Sequence, residues 1–108
     1  MGLMKSRGVV LDPGPQAEQE DLDMLVTGLR SGDPDLRRMA ARDLIGFPAA
    51  TQALGDQLQV EEDPQALDSI MNTLGCLGTP EAVELLLPCL RSSDPFRRNQ
   101  AIEVLKGL

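Results

Sequence analysis

The sequence predicts an all-α chain, a solenoid of three antiparallel helix pairs. Three observations carry this. Leu and Ala dominate a composition that is 42% hydrophobic and poor in β-branched residues, a balance that favours helix. Asp-Pro stands at 33–34, 63–64 and 94–95, a spacing of 30 and then 31, and an aspartate followed by proline supplies an N-cap and a first helical residue that needs no N–H. "SGDPDLRRMAARDLIG", Ser31 to Gly46, is written again as "SSDPFRRNQAIEVLKG", Ser92 to Gly107. One hairpin of this length cannot bury its own apolar faces, so such repeats stack into a continuous core.

The elements follow in order. Residues 1–16 contain "LDPGPQ", a Pro/Gly segment expected to form a flexible arm rather than a helix. Residues 17–108 form the repeat domain, with repeats at about 17–47, 48–78 and 79–108. Leu22, Leu25, Val26 and Leu29 fall at i, i+3, i+4 and i+7, one face of a first helix. Gly32 stops it, Asp33-Pro34 starts the second, and Leu36, Ala40 and Leu44 mark that helix's apolar line before Gly46. Ala50, Ala53, Leu54 and Leu58 mark the third helix, and Asp63-Pro64 opens the fourth, with Ala66, Ile70, Leu74 and Leu77 at helical spacing. Thr79-Pro80 starts the fifth, with Val83, Leu86, Leu87 and Leu90 on its face and Pro88 as a kink. Asp94-Pro95 opens the sixth, with Ala101, Val104, Leu105 and Leu108 facing the core.

Composition excludes several functions. The net charge is −7, from 17 acidic against 10 basic residues, so the chain offers no basic stripe for a phosphate backbone and no nucleic-acid partner is expected. Phe47 and Phe96 are its whole aromatic content, too little for a base-stacking platform. The chain has no histidine, so neither a Ser-His nor a Cys-His catalytic arrangement can be assembled from it. No catalytic residue, metal site or cofactor is expected. Cys76 and Cys89 are too few for a thiolate cage; the favoured reading is buried free thiols of a cytoplasmic protein, with a disulfide between them as the alternative. No stretch approaches the roughly 20 apolar residues of a membrane span, and "MGLMKSRGVVL" is too weakly apolar for a secretory signal.

The stretch "LGTPEAVELLLPCLRSSDPFRRNQAIEVLKGL", Leu77 to Leu108, with its Gly-x-Pro-Glu-Ala-Val start, leucine-rich first helix, Asp-Pro, Arg, Ala and Leu, resembles the HEAT-like repeats of bacterial and archaeal proteins, including the phycobilin-lyase type. "LVTGLRSGDPDLRRMAARDLIG" matches nearly as well, and the middle copy departs in having Leu67 where Arg37 and Arg98 sit. The resemblance covers residues of about 20 to 108 and implies a binding scaffold. It also implies that second helices line a concave face, and that Arg37 and Arg98 pair with acidic groups of neighbouring repeats such as Asp33, Asp63 or Asp94. Arg38 and Arg42, at i and i+4 on one helix face, are then the candidates to meet a partner, with Arg97 beside them in the third repeat.

The middle repeat adds Leu67 and Met71 to its apolar line. Two readings fit this wider face: cover by neighbours on both sides, or an apolar strip for an amphipathic partner segment, for which methionine is suited. The leading functional expectation is a non-catalytic module that holds a protein or peptide segment, acidic or amphipathic, in its groove. The alternative, carried by the resemblance alone, is a lyase-like or chaperone-like subunit for a tetrapyrrole or another anionic cofactor. At the C-terminal edge, Ile102 with Val83 and Leu87 would make an apolar patch. Either a second copy or a dedicated partner covers that patch, or the last hairpin closes over its own leucines.

Overall fold

The computed structural model describes residues 14–108, with side chains described from Glu18 onward. These residues form six α-helices and no strand: α1 Gly14–Leu29, α2 Pro34–Asp43, α3 Thr51–Val60, α4 Pro64–Leu77, α5 Pro80–Leu86 and α6 Pro95–Lys106. Short 3₁₀ turns at Leu44–Gly46, Pro48–Ala50 and Leu87–Arg91 tighten the connections. The expected arm falls for the most part outside the described residues. Where the two overlap, the helix starts earlier than expected, at Gly14. Pro15 does not oppose this, because the first turn of a helix has no use for its missing N–H.

The second helices all start where the proline punctuation placed them, and the reason is the cap. Asp33 accepts from the Asp35 N–H at 2.9 Å, Asp63 from the Ala66 N–H at 2.9 Å and Asp94 from the Phe96 N–H at 3.1 Å. Thr79 does the same for α5 through the Ala82 N–H at 3.1 Å. Each cap satisfies one of the N–H groups that a helix start leaves without a partner, worth about 1 kcal/mol apiece. α4 ends on Gly78, whose φ of +61° only glycine adopts without strain. Pro88 divides the first helix of the third repeat, which continues past α5 as the 3₁₀ turn Leu87–Arg91.

The helices lie in two layers. α2, α4 and α6 pack side by side as one layer, and α1, α3 and α5 cover it as the other. α4 touches α2, α3, α5 and α6, so it is enclosed on every side but one. That enclosure explains its wide apolar face: Ala66, Leu67, Ile70, Met71, Thr73 and Leu74 are all buried. Thr73 is the polar member, and its hydroxyl donates to the Ala41 carbonyl at 2.8 Å, tying α4 to α2 inside the core. Between α4 and α6 the backbones come close at Gly75, where a Cβ would stand 2.5 Å from Val104 Cγ1.

Three sequence expectations are corrected here. Leu36, read as core, is 51% exposed. Its repeat position is held by Ala66 and Arg97 in the other copies, which face the preceding repeat, and α2 packs against no preceding second helix among the described residues. Leu108, also read as core, is 57% exposed beyond the end of α6. Cys76 is exposed and Cys89 buried, both as free thiols; Cys76 stands two residues past Leu74, which turns it to the opposite face of α4.

Candidate binding face on the second helices

The most concentrated polar chemistry surrounds Glu61, at the end of α3. Its side chain is fully buried. Arg37 of α2 grips it with two N–H groups, Nε to Oε1 at 2.8 Å and Nη2 to Oε2 at 3.0 Å. Gln57 Nε2 donates to Oε1 at 3.1 Å and the Asp63 N–H to Oε2 at 3.0 Å. From the other side, Arg97 of α6 donates Nη1 to the Leu58 carbonyl and Nη2 to the Glu61 carbonyl, both at 2.8 Å. These are carbonyls that the last turn of α3 leaves without intrahelical partners. One residue therefore joins all three repeats: its carboxylate is held by the first, its backbone by the third.

The charges respond to this arrangement. Burial pushes the Glu61 carboxyl up, but the hydrogen bonds from Arg37, the Asp63 N–H and Gln57 outweigh it, so its pKa lies below the ordinary 4.5. The hydrogen bonds to Glu61 likewise hold the Arg37 guanidinium above its ordinary range.

A second feature lies on the outer side of the second-helix layer. A shallow depression of about 490 Å³ runs across it, lined by Arg38 of α2, by Pro64, Gln65, Asp68 and Ser69 of α4, and by Phe96 of α6. Arg38 Nε is buried and has no acceptor, while its Nη2 lies 3.7 Å from Asp35, a loose contact in an exposed setting. Phe96 is 41% exposed at the other end. Arg42 is exposed and has no salt-bridge partner among the described residues. No group of three or more potential metal ligands occurs among the described residues. None of the described helices is long and apolar enough to cross a membrane.

The family model of the HEAT repeats matches residues 22–106, the span of the six helices but for the first turns of α1. The chain belongs to the HEAT-repeat family. HEAT repeats are generally protein-interaction scaffolds and typically non-catalytic. Among curated proteins no match is found.

Placed in these HEAT repeats, the residues singled out by sequence sort differently than expected. Arg37 does span two repeats, but its acid is Glu61; Asp33, Asp63 and Asp94 are occupied as helix caps. Arg98 donates Nη1 to the Ser92 carbonyl of its own repeat at 2.9 Å and meets no acid of a neighbouring repeat among the described residues. Arg97 is corrected from partner contact to repeat contact, because the two carbonyls at the end of α3 take its guanidinium. Leu67 and Met71 are corrected too: they are 2% and 0% exposed, and the enclosure of α4 leaves them no surface for a partner. Arg42 is exposed, and Arg38 is half-buried at the rim of the depression. Glu61 was missed, although one signal was present. It occupies the position of Ser31 and Ser92, two residues before the capping aspartate, and an acid where the other copies carry serine marks a pairing those copies lack.

Proposed function

We propose that this HEAT-repeat chain is a non-catalytic interaction module that binds an acidic, partly apolar protein segment across its second helices. The observation that carries the reading is Arg38, whose buried Nε–H has no acceptor at the edge of a depression spanning three helices. A buried donor without a partner costs free energy that an incoming carboxylate or carbonyl removes. Arg42, one turn further along α2, extends the positive edge, and Phe96 offers an apolar anchor for the same segment.

A random peptide library displayed on phage and selected against the full chain tests this. The enriched sequences are expected to combine Asp or Glu with a large apolar residue, and to lose binding to the Arg38→Glu, Arg42→Glu double variant. Reversing the exposed Arg42 changes stability by no more than about 0.5 kcal/mol; Arg38 is half-buried, so circular dichroism of the double variant checks that helicity persists. Peptides that bind the double variant equally well, or a selection that enriches nothing, would contradict the reading.

A further inference from the structure

We infer that the segment bound in the second-helix depression runs across the helices as a polyproline II helix, with an acid, a base and an apolar residue at i, i+3 and i+6, one over each of α2, α4 and α6. The inference rests on the reading of that depression as the binding face and names the partner's pattern there.

The repeat sets side chains of successive second helices in a row. Arg38 stands five residues after the capping Asp33, and Asp68 five residues after the capping Asp63. They occupy the same place on α2 and α4, which pack side by side, and both line the depression. Phe96 of α6 lines its far end and is 41% exposed. Along the layer the surface is thus positive, then negative, then apolar. The two charges do not cancel each other. Arg38 has its ion contact with Asp35 of its own helix, at 3.7 Å, and Asp68 makes no salt bridge among the described residues. Each is left to meet a charge brought by the ligand: a carboxylate for Arg38, whose buried Nε–H has no acceptor, and an ammonium or guanidinium for Asp68. A segment acidic throughout would set one of its carboxylates against Asp68.

The conformation follows from spacing. Helices packed side by side stand about 8–10 Å apart, and a ligand crossing them must repeat its contacts at that distance. Side chains on one face of an α-helix recur about every 5.4 Å, and those on one face of a strand about every 6.8 Å. Both fall short. A polyproline II helix has three residues per turn and rises about 3.1 Å for each, so every third side chain points the same way about 9.3 Å further on. That period matches the helix spacing. Such a segment also leaves its backbone N–H and C=O groups unpaired. Gln65 and Ser69, one turn apart on α4 and lining the same depression, carry amide and hydroxyl groups that can meet them.

The test titrates capped peptides into the full chain and follows them by NMR. The parent is Glu-Pro-Ala-Lys-Pro-Ala-Leu, in which proline favours the polyproline II form. The same peptide in reversed order is included, because the row fixes the order of contacts and not the chain direction; the tighter of the two is carried forward. Replacing its Lys with Glu should weaken binding to the wild type at least about threefold, and Asp68→Lys should invert that preference. An analogue with one residue removed from each gap, which puts the contacts at i, i+2 and i+4, should bind at least about threefold more weakly than the parent. Circular dichroism checks the fold of Asp68→Lys. Asp68→Asn, expected to erase the preference without inverting it, carries the test if Asp68→Lys is unfolded.

If Arg38→Glu abolishes binding but the peptides ignore the charge at residue 68, or the shortened analogue binds as well as the parent, the inference falls and the acidic-segment reading stands. It falls likewise if none of these peptides binds at millimolar concentration while library-selected acidic segments do. Binding of all the peptides that survives Arg38→Glu overturns both.

Discussion

Arg37→Ala removes the only cation that faces the buried Glu61 carboxylate among the described residues. Glu61 accepts four hydrogen bonds, two of them from Arg37, and its side chain has no exposure. Breaking a buried pair by deleting one partner costs about 3–5 kcal/mol, because the other charge is left uncompensated. Against a total stability of roughly 5–15 kcal/mol for a domain, that is a large fraction. At about 4 °C per kcal/mol it lowers the melting temperature by roughly 12–20 °C. The molecule also contains the control. Its second junction carries Leu67 and Ser92 at the equivalent positions, so the double variant Arg37→Leu, Glu61→Ser rewrites the first junction in the form of the second. It should be more stable than Arg37→Leu alone, and the departure from additivity should reach about 2–3 kcal/mol. Urea unfolding followed by far-UV circular dichroism on the wild type, both single variants and the double variant measures this. Additive losses within about 0.5 kcal/mol would refute the claim that the two residues act as one element.

Further outcomes are expected from other parts of the stack. The lowered Glu61 pKa means that its stabilisation is complete above the ordinary value of 4.5 and is lost as pH falls through the lower folded value; acid unfolding of Glu61→Gln should therefore lack that share of the pH dependence below about pH 5. Thr73→Val keeps the shape but leaves the Ala41 carbonyl without its donor, a cost of about 1–3 kcal/mol in urea unfolding. Gly75→Ala gains about 1 kcal/mol of helix propensity but forces its Cβ against the β-branched Val104, so the net result in thermal unfolding should be destabilising. Arg97→Ala frees the Leu58 and Glu61 carbonyls, and hydrogen exchange should show α6 opening more readily while α1 and α2 keep their protection.

What the sequence disclosed follows from the range of each signal. The Asp-Pro starts at 33, 63 and 94 were legible because cap and proline act on their own helix within one turn. The Arg37–Glu61 pair was not, since its members stand 24 residues apart and the repeated Asp33, Asp63 and Asp94 offered plausible partners. Those aspartates were already engaged by N–H groups of their own turns. Arg97 was opaque for a different reason: its acceptors are main-chain carbonyls, which leave no mark on residue identity. Leu67 and Met71 show the limit of amphipathic patterns. A wide apolar face signals either burial on two sides or a partner surface, and only the enclosure of α4 separates the two. Arg38 stands out in the sequence only for sharing a helix face with Arg42, whereas the buried, unpaired Nε that gives it a chemical role depends on packing across three helices.

The most direct measurement of the binding claim is the proton–nitrogen NMR signal of the arginine Nε–H groups, recorded as a library-selected acidic peptide is added to the full chain. Arg37 serves as an internal reference, because its Nε–H is already bound to Glu61 at 2.8 Å. The account predicts that the Arg38 signal moves and saturates with the peptide while the Arg37 signal stays in place. A bound peptide that leaves Arg38 unmoved would contradict the assignment of the second-helix depression as the binding face.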